Sequence, residues 1–288
     1  MSTVRALFLK GQSRLQKLPQ IQPLSEARIL LCKCASLSDE EFFIHPDREV
    51  PKRAEARYFR LIARRLSGCP LPFLTGIKEF WSIPFHIPSG IFIPRPETEV
   101  LVEKVLELSS RGEEIIIDIG TGSGNIAVSL ARELPGARIY ATDISRRALK
   151  AAEFNAGQQN VSSIIFLSGS RFSPLKNLPL KGRCDFVVSN PPYVSEKEWE
   201  KLDPGIKKFE PKRALVPGKT GLECISRLIE ESLPFLKPGA YLVLEVGQGQ
   251  AGKILPLFDS RWQEIQTVKD LRGIPRVIVG RKAGMPIA

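Results

Sequence analysis

Residues Glu114-Ile115-Ile116-Ile117-Asp118-Ile119-Gly120-Thr121-Gly122-Ser123-Gly124 read as a strand that runs into a glycine-rich loop. The apolar run Ile115 to Ile119 is bounded by the first glycine, and Asn125 to Leu134 has helical spacing. In that strand–loop–helix setting the glycines make a tight turn and let a ligand come close to the backbone. The next strand, Arg138 to Ile144, carries Asp143 at its end. That is about 20 residues past the loop, where an acid accepts hydrogen bonds from ribose hydroxyls. Gly120, Thr121, Gly122, Ser123, Gly124 and Asp143 are therefore the candidate cofactor residues. The loop is GxGxG, and no Ser/Thr-Lys of a phosphate-binding P-loop follows it. A dinucleotide pyrophosphate favours a helix N-terminus with a close third glycine. The helix here opens with Asn125-Ile126, which favours S-adenosylmethionine over a dinucleotide.

Outward from this unit, helices and strands alternate. Helices are expected over Thr98–Leu108, Ala148–Gln158, Leu222–Leu236 and Gly252–Phe258. Strands are expected over Ile164–Leu167, Cys184–Ser189 and Ala240–Val246, with a final pair at Ile265–Val268 and Arg276–Val279. The pattern predicts a doubly wound α/β domain over residues 98–288. Residues 1–76 read as several short helices without strands, a small all-α bundle. Ser25 is taken as the N-cap of a helix from Leu24 to Ser36, and Ser38-Asp39-Glu40-Glu41 as a capping box. A third helix runs from Lys52 to Leu66 and ends at Ser67-Gly68. Residues 77–97 alternate apolar residues with Pro and Gly, including Ser89-Gly90 ahead of Ile91-Phe92-Ile93-Pro94. This predicts a linking β-hairpin with edge prolines.

The second chemically informative stretch is Asn190-Pro191-Pro192-Tyr193, directly after the strand Cys184–Ser189. Two prolines lock φ and lack N–H groups, so their carbonyls can face a pocket unpaired. The Asn190 side-chain oxygen adds an acceptor, and Tyr193 adds a flat apolar face. Such a wall suits a planar –NH2 group with two donors, which makes Asn190, Pro191, Pro192 and Tyr193 the candidate catalytic residues. The charged, Pro-rich stretch from Ser195 to Thr220 follows, where a substrate loop belongs.

Composition narrows the class. The chain has 288 residues, 43% hydrophobic and 25% charged, as in an ordinary globular protein. Its five cysteines are scattered, and Cys184 is expected in the core. With only two histidines beside them, no metal site is expected, and the pattern suits a reducing cytosol. No run of about 18 apolar residues suggests a membrane span, and no secretory signal is seen. The location is read as cytoplasmic, although the basic, acid-poor start is also compatible with an organellar presequence. Formal net charge is +11. Residues 1–89 carry 14 Lys and Arg against 8 Asp and Glu, and the remainder 28 against 23. The excess is denser in the first third and suits an anionic partner as well as simple solubility.

Taken with Pro70-Leu71-Pro72-Phe73-Leu74-Thr75-Gly76 and Phe92-Ile93-Pro94-Arg95-Pro96-Glu97-Thr98-Glu99, these motifs resemble the class I methyltransferases. Within them the chain resembles the peptide-chain-release-factor glutamine methyltransferases, the HemK/PrmC family. Phe209-Glu210-Pro211, Ala214-Leu215-Val216 and Gly221-Leu222 continue the likeness, which spans nearly the whole chain. The resemblance implies a Rossmann-like domain with a mostly parallel seven-stranded sheet and an antiparallel last strand. It also implies S-adenosylmethionine as methyl donor and methylation of the Gly-Gly-Gln glutamine of a release factor. Residues 1–76 would bind that protein substrate, and the enzyme would act as a monomer without direct contact to nucleic acid. Asn190 would face both cofactor and substrate. The chain departs from the family where an acid and an aromatic residue usually flank the adenine: it has Ser170 and Arg171, and Arg171 is expected to stack its guanidinium plane on the ring. The box alone is shared with N6-adenine methyltransferases, which normally add a target-recognition domain. A binding protein that kept the fold without turnover is the third reading.

Overall fold

The computed structural model describes residues 1–18 and 21–284. They form two compact units, Met1–Ile77 with Asp203–Phe209, and Lys78–Leu202 with the chain from Glu210 onward.

The first unit is helical: α1 (Val4–Leu15), α2 (Pro23–Ala35), α3 (Asp39–Ile44), α4 (Lys52–Leu66) and α5 (Leu71–Thr75). Leu7, Leu15, Leu30, Leu31, Tyr58 and Ile62 are fully buried among them. Ser38 and Glu41 form the expected capping box at the start of α3. Ser25 is not a cap. Gln22 precedes α2 and Pro23 opens it, because proline needs no N–H partner at the first helical position; Ser25 lies inside the first turn. Arg65 grips the buried Glu26 with two bonds, 2.6 and 3.1 Å. The short helix Pro204–Phe209 also belongs to this unit, although it begins 129 residues after α5 ends, a placement that no local pattern indicates.

The second unit opens with the hairpin β1 (Ile77–Phe80) and β2 (Ile83–His86). Its turn is at Trp81-Ser82, both with positive φ, and not at Ser89-Gly90. Ile91–Pro94 is not a strand, because the Ile93 N–H is taken by the Glu210 carboxylate at 3.2 Å. The remaining strands are β3 (Ile115–Ile119), β4 (Arg138–Asp143), β5 (Ile164–Ser168), β6 (Cys184–Ser189), β7 (Leu236–Glu245), β8 (Trp262–Lys269) and β9 (Pro275–Lys282). They form one seven-stranded sheet in the order β5-β4-β3-β6-β7-β9-β8. β5 through β7 pair in parallel, while β9 runs antiparallel between β7 and β8. The helix expected over Leu222–Leu236 is shorter, Glu223–Ser232, because β7 already begins at Leu236 to pair with Cys184.

The sheet is covered by helices Glu99–Leu108, Asn125–Glu133, Arg146–Gln158 and Glu223–Ser232. Its core includes Ile117, Val187, Leu228, Leu242 and Ile278, and Cys184 is fully buried with them. From β3 the chain builds β4 and β5 on one side, then returns to build β6 and β7 on the other. The crevice at such a reversal, outside the carboxyl ends of β3 and β6, is where doubly wound sheets bind ligands. Ser189 fastens the two strand ends together, its hydroxyl donating to the Ile119 carbonyl at 2.7 Å.

Candidate active site

The glycine loop leaves β3 at this crevice. Gly120, Gly122 and Gly124 all have φ between 59° and 82°, the left-handed region that glycine alone adopts cheaply. At Gly124 the lack of a side chain is also steric: a Cβ would stand 2.9 Å from the Ala152 Cβ on the neighbouring helix. Asn155 on that same helix secures the loop from behind. Its Nδ2 donates to the Ser123 carbonyl at 2.9 Å and to the His86 carbonyl at 3.1 Å, while its Oδ1 accepts from the His86 N–H at 2.7 Å. One buried amide thus ties β2 to the loop.

Asp143 ends β4 beside the loop. Its oxygens accept from the Gly122 N–H at 2.9 Å and the Ser145 N–H at 2.7 Å, which leaves lone pairs for further donors. Burial raises its pKa, against the opposing pull of those N–H groups and of Arg213. Asp118 lies beneath the loop, fully buried, and neither carboxylate oxygen makes a well-formed hydrogen bond, although Thr121 lies close by. Burial pushes its pKa up to about 7. A buried, unpaired carboxylate makes the loop above it favourable to a cation.

A cavity of about 240 Å³ opens over these groups. Gly120, Thr121, Gly122, Asp143, Ser170, Arg171, Asn190, Pro191 and Pro192 all line it, so strand ends distant in sequence converge there. Ser123 and Gly124 shape the loop but do not line the cavity. Arg171 reaches the lining, yet its guanidinium is held by Glu231 in two bonds of 2.8 and 3.0 Å. The free acceptors of Asp143, the unpaired Asp118 and the open backbone at Gly120, where a Cβ would meet nothing within 4 Å, fit a nucleoside carrying a positive charge. The described residues contain no His, Cys, Asp and Glu cluster able to hold a metal.

A smaller niche adjoins the cavity, lined by Phe92, Asn190, Pro191, Pro192, Tyr193, Val194, Ala214 and Leu215. Phe92, Asn190, Pro191, Pro192 and Ala214 are common to both. The Asn190 Nδ2 donates to Thr98 Oγ1 at 3.0 Å, which leaves Oδ1 as an acceptor. Among the described residues no backbone N–H donates to the Pro191 carbonyl. The Tyr193 hydroxyl donates to Glu245 Oε1 at 3.2 Å, and the Tyr193 carbonyl accepts from Gln250 Nε2 at 2.8 Å. Phe92 is held under the Arg95 guanidinium, 4.8 Å from its ring centre, and Arg95 in turn pairs with the buried Glu210 at 2.6 Å.

Comparison with known proteins identifies the family. The family described as "Methyltransferase small domain" matches residues 95–203, and "PrmC N-terminal domain" matches residues 6–76. A release factor glutamine methyltransferase of Koribacter versatilis is 38% identical over 97% of this chain and 99% of its own length. The chain belongs to the release factor glutamine methyltransferases. The relative of that name from Nitratidesulfovibrio vulgaris is 36% identical over 98% of this chain and 96% of its own. The crystal structure of a release-factor-specific protein-(glutamine-N5) methyltransferase from Alicyclobacillus acidocaldarius is 31% identical, covering 66% of this chain and 94% of that one, with a TM-score of 0.41. S-adenosylmethionine is the methyl donor of this class. No helix of the described residues is long and apolar enough to cross a membrane.

Sequence reasoning passed over Thr98, Asp118, Phe92, Arg213 and Glu245 as site residues. Phe92, Thr98 and Asp118 stood inside motifs quoted for other reasons. Arg213 and Glu245 carry no local signal, since their roles depend on what the fold sets beside them.

Proposed function

We propose that the protein methylates the side-chain amide nitrogen, N5, of the glutamine in the Gly-Gly-Gln motif of a peptide chain release factor. The observation that carries this reading is the shared wall: Asn190, Pro191 and Pro192 face a nucleoside-sized cavity on one side and an aromatic niche on the other. A group held in the niche meets a group held in the cavity across that wall.

S-adenosylmethionine, when bound, supplies a methyl group made electrophilic by its sulfonium sulfur. Gly120, Thr121 and Gly122 would hold its amino-acid end against the backbone, in a loop shaped by Ser123 and Gly124, with Asp118 favouring its positive charge. Asp143 receives the ribose hydroxyls. Ser170 and Arg171 border the base end, where Arg171 works from its pair with Glu231.

An amide nitrogen is a poor nucleophile, because its lone pair is delocalised into the carbonyl. Asn190 Oδ1 and the Pro191 carbonyl accept its two N–H groups, which orients the nitrogen and begins to localise the lone pair. The same acceptors stabilise the positive charge that grows on nitrogen. Phe92, Pro192 and Tyr193 pack on the amide plane and keep water out. The methylated, protonated amide is a strong acid and loses its proton to solvent as the product leaves the niche, so no general base is needed.

The helical residues 1–76 and the segment after Tyr193 hold the protein substrate. All proposed site residues come from one chain, so a monomer suffices, and the reaction needs no direct contact with nucleic acid. The compartment is the cytoplasm, where release factors work.

The test is mass spectrometry of a release factor incubated with the protein and S-adenosylmethionine. The expected result is one added methyl on the Gly-Gly-Gln glutamine, lost in Asn190→Ala. Label on nucleic acid in place of the release factor overturns the reading, as does an Asn190→Ala protein with wild-type turnover.

A further inference from the structure

Glu245 is a buried acid without a salt-bridge partner among the described residues. It ends β7, is 1% exposed, and is not among the residues lining the cavity or the niche. Arg276 is a cation that acts on it, but Arg276 is bound to Asp270 at 3.0 Å and lies 3.9 Å from Glu97. A buried carboxylate with no cation of its own is costly to keep.

Its neighbours are the two hydroxyls that touch the Asn190-Pro191-Pro192-Tyr193 box. Tyr193 donates to Oε1 at 3.2 Å. Oε2 makes no well-formed hydrogen bond, yet the Thr98 hydroxyl is near enough to favour the ionised form. Thr98 is fully buried, and its oxygen already accepts from Asn190 Nδ2 at 3.0 Å. A hydroxyl has one proton. With an ionised carboxylate beside it, that proton turns to Glu245, and the Thr98 oxygen presents only lone pairs to Asn190. The amide can then meet Thr98 only with its –NH2, so Oδ1 is left facing the substrate.

We infer that Glu245 is a positioning residue for methyl transfer: through Thr98 and Tyr193 it fixes the polarity of the Asn190 amide and the place of the Tyr193 ring. The inference rests on the proposed methylation of a side-chain –NH2. Protonation of Glu245 reverses the chain of donors. Thr98 then accepts a hydrogen bond from the Glu245 carboxyl and donates its own to Asn190 Oδ1, the amide turns, and two donors confront the substrate –NH2. Burial pushes the Glu245 pKa up to about 7, opposed by Thr98, Tyr193 and Arg276 and reinforced by Glu97. The switch therefore lies within the working range.

The decisive experiment compares wild type, Glu245→Gln, Thr98→Val and Thr98→Ser. Turnover and KM on a release factor are measured from pH 6 to 9, with S-adenosylhomocysteine affinity by calorimetry and thermal stability alongside. Glu245→Gln should lose about 100-fold in kcat, the cost typical of a misplaced reacting group. Both KM values and the product affinity should hold, and the melting temperature should not fall. Wild-type kcat should rise through pH 7, and that rise should vanish in Glu245→Gln. Thr98→Val should show the same kcat loss, and Thr98→Ser, which keeps the hydroxyl, should recover most of it.

A Glu245→Gln protein with wild-type kcat, or one that keeps the rise through pH 7, overturns the inference. The second result would assign the rise to Asp118. A variant that loses product affinity or melts early shows a purely structural role and overturns it too. Should Glu245→Gln fail to fold, the Thr98 pair decides, since a fully active Thr98→Val refutes the chain. Wild type that leaves the release factor unmethylated removes the reading beneath the inference; wild type and Glu245→Gln equally active remove only the inference.

Discussion

Replacing Asn155 tests how the glycine loop is held. Its side chain makes three hydrogen bonds to backbone groups of β2 and the loop. Ser123 is buried, so its carbonyl, left unpaired by Asn155→Ala, costs about 1–3 kcal/mol. The two bonds to His86 lie where water can reach, and contribute about 0.5–1.5 kcal/mol each. The expected loss is about 4 kcal/mol, or roughly 8–16 °C in melting temperature for a unit of this size. Asn155→Asp keeps the size and the Oδ1 acceptor for the His86 N–H. It places a second acceptor, and a charge, against the Ser123 and His86 carbonyls. The near-isosteric change should therefore be worse than alanine. Differential scanning calorimetry gives the melting temperatures, and titration with S-adenosylhomocysteine reports the loop, with affinity falling at least tenfold in both. If Asn155→Asp melts above Asn155→Ala, or if either keeps wild-type affinity and stability, the amide does not hold the loop.

Asp118 has a folded pKa raised to about 7 from an ordinary carboxyl value, so the folded protein binds a proton that the unfolded chain releases. Its contribution to stability is full below about pH 4 and is lost as pH rises through 7. Asp118→Asn should therefore melt higher than wild type at pH 8 while binding S-adenosylhomocysteine more weakly; equal melting at pH 8 would refute a buried, strained carboxylate. Gly124→Ala forces a left-handed alanine, about 1–2 kcal/mol, and adds a clash with Ala152. Its cofactor affinity and melting temperature should both drop, and a wild-type titration curve would count against the tight loop. The Arg171–Glu231 pair is partly exposed, with side chains 27% and 37% accessible, so Glu231→Ala should change stability by less than about 1 kcal/mol. It should weaken S-adenosylhomocysteine binding several-fold by freeing Arg171, and a null effect on affinity would remove Arg171 from the site.

The elements that rest on local pattern can be read from the residues alone. The isoleucine run of β3, the alternating glycines after it and Asp143 at the end of β4 follow from periodicity and turn chemistry within about 30 residues. The box at the end of β6 was legible because two prolines restrict their own backbone wherever they stand. Even the hairpin was visible, although its turn was misplaced: Trp81-Ser82 adopts positive φ without a glycine to announce it. How the box is aimed depends on contacts that form only in the folded chain. Asn190 meets Thr98 across 92 residues, Tyr193 meets Glu245 across 52, and Glu210 takes the Ile93 N–H across 117. Thr98 and Glu210 stand inside motifs and Glu245 in none, but no motif assigns them these partners, because a threonine hydroxyl or a glutamate does the same chemistry anywhere. Burial beside a particular acceptor gives each its role, and that burial exists only once the ends of β3, β6 and β7 lie side by side in one sheet.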